Sequence, residues 1–108
     1  MMEINKRDSK RNKIGIWEKY YNNGKLYFKC NYINGILNGE YIQYYNNGQI
    51  NYKTYYINGK DDGYYEKYYN NGKIVFKGLY KNDLKIDYWE EFKLDKFDNH
   101  KYFSLFFI

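Results

Sequence analysis

The sequence of 108 residues contains no proline, a single cysteine, a single histidine and only two arginines. Because proline is absent, every backbone N–H is available to donate in a β-ladder. One cysteine excludes an internal disulfide and fits a reducing compartment. Tetrahedral zinc sites need several closely spaced nitrogen or sulfur ligands, which one histidine and scattered carboxylates do not supply. We therefore expect neither a disulfide framework nor a bound metal or cofactor.

Long apolar runs are missing as well. No stretch of 18 apolar residues is present, and the opening MMEINKRDSK has no apolar core of the kind that signal peptides carry. From these two absences we expect a cytoplasmic protein without a membrane-spanning segment. The formal net charge of +5 favours acidic partners. Part of this charge lies near the N-terminus, at Lys6, Arg7, Lys10, Arg11 and Lys13.

One phrase recurs at a constant spacing of 24 residues: YYNNGK at 20–25, YYNNGQ at 44–49 and YYNNGK at 68–73. Self-similarity at a fixed period indicates a stacked-repeat protein in which each unit buries its surfaces against its neighbours. The 17 Tyr, seven Phe and two Trp supply the apolar material, at roughly 150–250 Å² of buried area each. We expect one domain with a basic N-terminal cap at 1–14, three repeats at 15–38, 39–62 and 63–86, and a degenerate fourth repeat with a C-terminal cap strand at 87–108.

Within each repeat the apolar residues alternate with a period of two, as Leu26, Phe28 and Tyr32 do, and this period is typical of β-strands. Asn-Asn-Gly is typical of a three-residue hairpin connection whose glycine adopts the left-handed conformation. A second, glycine-flanked connection joins one hairpin to the next. Together these signals predict an all-β fold, a single elongated, twisted antiparallel β-meander built from 24-residue two-stranded hairpin repeats. A sheet curled toward a barrel is the alternative.

Pairing of Tyr20 with Leu26 across the first hairpin would divide the side chains between two faces. The predicted core face carries Tyr20, Leu26, Phe28 and Tyr32, then Tyr44, Ile50, Tyr52 and Tyr56, then Tyr68, Ile74, Phe76 and Tyr80. The other face mixes aromatic and lysine side chains, as binding surfaces often do, although a solvated face with lysine stems over aromatic rings has the same composition. Any β-bulge would move part of this assignment to the opposite face. The candidate binding residues are Trp17, Lys19, Tyr21, Tyr27, Tyr41, Tyr45, Tyr55, Tyr65, Lys67 and Tyr69.

Candidate catalytic residues are few. Cys30 occupies the position in its repeat that Thr54 and Gly78 occupy in theirs, which predicts a small packing residue rather than a nucleophile. Glu66 and Glu90 also share a repeat position, two strands apart, but nothing in the sequence predicts a pocket that would raise the pKa of either carboxyl. We therefore expect no catalytic residues and no enzymatic activity.

Two stretches carry a family resemblance, FKGLYKND at 76–83 and NGKDDGYYEKYYNNGK at 58–73. Together with the repeated 24-residue unit, they resemble MORN repeats, particularly the variant bacterial subclass whose members are commonly antitoxin-like. The resemblance spans about residues 15–92. Asp83 and Asp87 depart from it because they stand where the family has turn glycines, and this departure predicts that the repeat stack ends near residue 87.

The function we expect is non-enzymatic binding of another protein through a broad sheet surface, on which aromatic side chains are the usual energetic anchors. The resemblance implies a small inhibitor of the antitoxin, immunity or anti-defence type. Two alternatives are an anionic membrane surface bound through the basic N-terminus, and single-stranded nucleic acid bound through tyrosines and lysines. The apolar tail FSLFFI at 103–108 is either a homodimer edge or the cap of the array.

Overall fold

The computed structural model describes residues 3–94 and 100–107, with the side-chain surroundings described for residues 3–93. This part of the chain consists of β-strands and turns, and it contains no helix long and apolar enough to cross a membrane. The strands are β1 (Lys6–Arg7), β2 (Lys13–Tyr20), β3 (Leu26–Ile33), β4 (Ile36–Leu37), β5 (Gly39–Tyr44), β6 (Ile50–Ile57), β7 (Lys60–Tyr68), β8 (Ile74–Lys81), β9 (Leu84–Leu94) and β10 (His100–Phe107).

The strands form one open antiparallel sheet in which neighbours in sequence pair with each other. Their order is β1-β2-β3-β5-β6-β7-β8-β9-β10, and the short β4 also pairs with β3. Only Asn38 separates β4 from β5, so these two strands together form the return arm of one hairpin. The predicted all-β meander of hairpin repeats is therefore confirmed, and the sheet is open rather than curled into a barrel.

The sheet is a single layer, with principal extents of 53 × 38 × 19 Å. Since no second layer covers the sheet within residues 3–93, both faces meet solvent there, and most strand side chains are only half-buried. Within residues 3–93, the buried residues are Cys30, Thr54 and Trp89. Stability therefore comes from lateral contacts between side chains of adjacent strands.

The recurring Asn-Asn-Gly is a three-residue hairpin loop, as predicted. In the first repeat Tyr21 N–H donates to the Lys25 carbonyl at 2.8 Å, and Gly24 N–H donates to the Tyr21 carbonyl at 2.9 Å. Gly24 has a φ of 83°, a left-handed conformation that glycine adopts without steric cost. The same bonds recur at Tyr45 and Tyr69, so one local solution closes all three hairpins.

The second connection is a two-residue turn in which both central residues have positive φ. Asn34 and Gly35 have φ values of 50° and 78°, the signature of a type I′ hairpin turn. In the third repeat Asn82 and Asp83 adopt the same conformation, with φ values of 50° and 68°. Asp83 thus replaces a turn glycine without changing the turn.

The sheet continues past residue 87, where the sequence departs from the turn-glycine pattern. Asp87 has a φ of 58° and occupies the repeat position of Gly63, whose φ is 129°. Strand β9 continues through Asp87 and pairs with β8 on one side and β10 on the other. Aspartate tolerates left-handed angles better than most residues, which explains why the sheet continues where the family pattern breaks. The side chains of the FSLFFI tail lie outside the described part.

A β-bulge in each hairpin changes which side chains share a face. Tyr20 pairs with Leu26, as expected, but the next pair along the strands is Lys19 with Phe28. One residue of β3 therefore has no partner, and the alternation of side chains reverses there. The same register shift occurs between Gln43 and Tyr44, and again between Lys67 and Tyr68.

The predicted division into two faces is therefore wrong. Trp17 pairs with Cys30, and Tyr41 stacks on Phe28, so these expected outward residues share a face with the predicted core. The face that we call the ladder face carries Trp17, Lys19, Phe28, Tyr32, Tyr41, Tyr52, Tyr56, Tyr65, Lys67, Phe76, Tyr80 and Trp89. The opposite, mixed face carries Glu18, Tyr20, Lys29, Glu40, Ile42, Tyr44, Lys53, Tyr55, Tyr64, Glu66, Tyr68, Lys77, Leu79, Tyr88 and Glu90, together with the predicted core residues Leu26, Ile50 and Ile74.

The N-terminal residues occupy the free edge of β2. Asn5 N–H donates to the Ile16 carbonyl at 2.8 Å, and the Asn5 side-chain amide both accepts from Glu18 N–H at 2.8 Å and donates to the Glu18 carbonyl at 3.1 Å. The amide of one side chain thus replaces the backbone partners that a further strand would offer. Such covering of edge groups is how sheet proteins limit unwanted strand addition.

Candidate binding surfaces

Six aromatic rings from six successive strands form a continuous row on the ladder face. The centroids of consecutive rings are 5.7–6.1 Å apart. The first four pairs are stacked, and the last pair is tilted by 48°. Each offset pair adds about 0.5–1.5 kcal/mol beyond its area burial, so this row is the core of a one-layer protein. The rings are Phe28, Tyr41, Tyr52, Tyr65, Phe76 and Trp89.

A second set of rings meets this row edge-on. Tyr56 contacts Tyr41 with centroids 6.0 Å apart, and Tyr80 contacts Tyr65 at 5.6 Å and Trp89 at 5.0 Å. Interplanar angles near 80° identify these contacts as edge-to-face. The faces and flanks of the row are therefore already occupied by the protein's own aromatic side chains.

The ladder tyrosines are held in their neutral form. Burial, and then the negative charge of Asp61, raise the pKa of Tyr56 to about 12. Burial is also the main reason why the pKa of Tyr65 rises to about 12, and it raises the pKa of Tyr41 as well. Because each anionic form is disfavoured, these hydroxyls are neutral at ordinary pH.

Cations lie over aromatic rings at the N-terminal edge and near a hairpin loop. The Arg7 guanidinium and the Lys13 ammonium lie 5.0 and 4.8 Å from the centroid of Trp17, on the N-terminal side of the sheet. Lys67 lies 5.4 Å from the ring of Tyr45. Lys67 also donates to Oδ1 of Asn51. At exposed sites each cation–π contact is worth about 0.5–1 kcal/mol, so these charges are oriented by the rings they cover.

In the first two YYNNG phrases, the second tyrosine ties its hairpin to the next one. The hydroxyl of Tyr21 donates to the Tyr44 carbonyl at 2.6 Å, and that of Tyr45 donates to the Tyr68 carbonyl at 2.6 Å. Asn23 adds a second tie, since its Oδ1 accepts from Lys25 N–H and its Nδ2 donates to the next loop. Tyr21 and Tyr45, two candidate binding residues, therefore have a structural role.

A row of alternating charges crosses the centre of the mixed face. In register order it runs Glu18, Lys29, Ile42, Lys53, Glu66, Lys77 and Glu90. Lys53 lies 4.0 Å from Glu66, and Lys77 lies 3.8 Å from Glu90. The Tyr68 hydroxyl donates to Glu66 as well. Glu66 and Glu90, the pair considered for catalysis, are therefore members of a charge ladder.

The most exposed apolar side chains also lie on the mixed face. Tyr64 is 74% exposed, Tyr88 61%, Tyr20 51% and Tyr55 45%. Toward the type I′ turns the same face exposes Ile33, Ile36, Ile57 and Leu84. Tyr64 separates two shallow hollows of 270 and 410 Å³, and both hollows are lined in part by Glu66. Exposed tyrosines next to concave, partly charged surface are typical of contact sites.

The ten candidate binding residues do not form one surface. Tyr55 alone lies on the mixed face. Tyr27 stacks on Tyr21 with centroids 4.6 Å apart, at the hairpin-loop end of the sheet. Binding by the candidates stays a prediction, and those not on the mixed face are Trp17, Lys19, Tyr21, Tyr27, Tyr41, Tyr45, Tyr65, Lys67 and Tyr69.

Sequence reasoning missed Tyr64, Tyr88 and Glu40, three residues of the mixed face. Alternation along β7 places Tyr64 on the face of Glu66 and Tyr68, and the candidate binding residues were expected on the opposite face. The signal that could have found them is the period of two, which places Glu40 and Tyr64 on the faces of Tyr44 and Tyr68.

The single thiol belongs to the packing of the ladder face. Cys30 is buried opposite Trp17, and burial raises the pKa of its thiol, which disfavours the nucleophilic thiolate. Across residues 3–94 and 100–107, no three His, Cys, Asp or Glu side chains are grouped as a metal site would require.

The geometry first defines a class of protein, a repeat-built binding scaffold with two unlike surfaces. The family model described as MORN repeat variant matches residues 13–34, 37–58 and 61–82, together more than half of the chain. The chain therefore belongs to the MORN repeat variant family. Repeats of this kind generally bind proteins or membrane lipids and are typically non-catalytic. No curated protein and no solved structure matches the chain.

Proposed function

We propose that the chain is a non-enzymatic protein-binding module that contacts its partner through the mixed face. The one-sided exposure of apolar side chains carries this proposal. Of the nine exposed large apolar residues in the described part, eight lie on the mixed face and only Ile4 does not. Exposed apolar surface gathered on one face marks interaction sites, whereas isolated exposed residues do not.

The chemistry of the mixed face suits a protein partner. Tyrosines such as Tyr64 and Tyr88 supply large contact area with few rotatable bonds, which keeps the entropy cost of binding low. The alternating charge row adds specificity, because a partner with the wrong charge order meets repulsion. The 53 × 38 Å outline of the sheet accommodates the roughly 800 Å² per partner of a standard interface.

Single-stranded nucleic acid fits the structure less well. Stacking of bases needs aromatic rings with uncovered faces. On the ladder face the rings cover one another, with Tyr52 lying between Tyr41 and Tyr65. On the mixed face, Glu66 and Glu90 lie among the lysines and oppose phosphate groups.

We extend the proposal to inhibition of the bound partner, the antitoxin-type role that the family resemblance suggests. A compact, rigid sheet that covers a partner's surface needs no chemistry of its own to block activity. The setting we propose is the cytoplasm, a reducing compartment in which the single thiol of Cys30 persists.

Affinity capture from the source cell tests the proposal, with the wild-type chain and one variant of each face as baits. The wild-type chain should retain one stoichiometric protein at moderate salt after nuclease treatment. Tyr64→Ala with Tyr88→Ala should lose it, whereas Lys19→Ala, on the ladder face, should not. The partner's own activity should fall when the chain is added. Equal retention by both variants would contradict the mixed face as the contact surface.

An anionic membrane surface is the second candidate, favoured by the cations around Trp17. Arg7 and Lys13 lie over this ring, and Lys6, Lys10 and Arg11 are near it in sequence. Basic residues near a membrane contribute about 1 kcal/mol each, so attachment would weaken with salt. Co-sedimentation with phosphatidylserine vesicles should be abolished by neutralising these five residues if this candidate holds. Retention of vesicle binding by that variant would exclude it.

A further inference from the structure

The larger hollow of the mixed face lies over a residue without a side chain. Gly63 has a φ of 129°, and a Cβ there would come within 3.1 Å of the Tyr55 Cβ. Because residue 63 is glycine, the space beside Tyr55 that a side chain would crowd stays empty. The hollow, lined in part by Tyr55, Gly63 and Tyr64, measures 410 Å³.

The charges around this hollow are mainly negative, although the chain as a whole is basic. Glu40, Asp62 and Glu66 line it together with one cation, Lys53. Glu66 lies 4.0 Å from Lys53, and Asp62 lies 3.3 Å from Lys81. Glu40 has neither an ion pair nor a side-chain hydrogen bond within the described residues. The hollow thus holds a carboxylate that a partner's cation can pair with at little desolvation cost.

The tyrosine beside the hollow offers the second half of a cation site. Tyr64 is 74% exposed, and within residues 3–93 its ring packs against no other ring and its hydroxyl has no hydrogen-bond partner. A guanidinium is planar, so it can stack on an aromatic face while its N–H groups pair with a carboxylate. An ammonium would satisfy the charge but not the stacking geometry.

The charge pattern argues against two other occupants of this face. A second copy related by a centred twofold axis would place Lys53 against its own equivalent and Glu18 against Glu90, so like charges would meet. A phosphate-bearing partner would meet the carboxylates of Glu40, Asp62 and Glu66.

We propose that the hollow between Tyr55 and Tyr64 receives an arginine side chain from the partner protein. The guanidinium stacks on Tyr64 and pairs with Glu40 above Gly63. This inference rests on the proposed function and names the partner's chemistry, a protein surface with an arginine at its centre.

The test is an NMR titration of the ¹⁵N-labelled full chain with the blocked tripeptide acetyl-Gly-Arg-Gly-amide. Saturable shift changes should appear at the amides of Glu40, Gly63 and Tyr64. Affinity should drop about threefold or more in Glu40→Gln and in Tyr64→Ala, in line with the loss of one exposed charge pair or one cation–π contact. Glu18→Gln, which removes a carboxylate of the same face outside the hollow, should bind as the wild type does.

The citrulline tripeptide, which keeps the shape and loses the charge, should produce no saturable change. Equal binding of citrulline, shifts confined to other residues, or no shifts at all would overturn the inference. The arginine peptide should also displace the captured partner. If Tyr64-dependent capture persists without displacement, the arginine inference fails and the proposed function stands. If the peptide binds but no protein is captured, the proposed function fails instead.

Discussion

The indole of Trp89 occupies the space in which the side chain of residue 78 would stand. With tryptophan at position 89, position 78 has room only for glycine. A Cβ on Gly78 would overlap the indole ring. In the preceding repeats Thr54 lies opposite Tyr65, and Cys30 holds the same position. Tyr65 thus leaves room for a threonine at its repeat position, whereas Trp89 leaves room for no side chain.

Gly78→Ala should lower the free energy of unfolding by about 3 kcal/mol, because overpacking forces the indole or the backbone to move. Urea denaturation measures this loss. Trp89→Tyr should restore most of the stability of Gly78→Ala, since a tyrosine at the equivalent position accommodates Thr54. Full stability of Gly78→Ala alone would show that the indole moves freely, contrary to a tightly packed ladder.

Tyr45→Phe should destabilise the chain by about 1 kcal/mol, because it removes the hydroxyl that donates to the Tyr68 carbonyl of the next hairpin. Thermal and urea unfolding both report this change. Tyr64→Phe is the matched control, and its stability should be unchanged because the Tyr64 hydroxyl has no partner in the described part. Equal effects of the two substitutions would argue against the hairpin tie.

The stability that the neutral ladder tyrosines contribute should be fully present below pH 10 and should be lost as the pH rises toward 12. Tyr56 and Tyr65 have pKa values raised to about 12, whereas an unfolded tyrosine ionises near 10. Between these values the unfolded chain loses a proton that the folded chain keeps, so alkali favours unfolding. Urea titrations at pH 8–12 should show a shallower fall for Tyr65→Phe, and an identical fall would contradict a buried Tyr65 hydroxyl.

Asn5→Gly should weaken the protection of the β2 edge. Glycine retains the φ of 56° at this position but loses both side-chain hydrogen bonds to Glu18. We expect a loss of about 1 kcal/mol and faster hydrogen exchange at the Glu18 amide. Asn5→Asp should be intermediate, because a carboxylate still accepts from Glu18 N–H but cannot donate to its carbonyl. Unchanged exchange in Asn5→Gly would show that this edge is covered by other means.

The sequence was sufficient to predict the strands, the hairpins and their order. The 24-residue period, the period of two and the Asn-Asn-Gly loops all favour the same meander. The two faces could not be predicted by alternation alone, since each bulge reverses the side-chain pattern and moves residues such as Tyr41 to the face of Phe28. Asp87 stands where the preceding repeats have glycine, so the register irregularity beside it has no sequence signal as plain as glycine. The candidate surface around Tyr64 could therefore be located only from the strand register of the structure.

Site-specific photocrosslinking tests the central claim, that this sheet binds a protein through its mixed face. A benzoylphenylalanine placed at Tyr64 should crosslink one defined protein in source-cell lysate, in a nuclease-resistant and moderately salt-resistant adduct. The same group at Gln43, whose paired residue Tyr52 lies on the ladder face, should give none. An adduct from Gln43 and none from Tyr64 would contradict the account and assign binding to the ladder face.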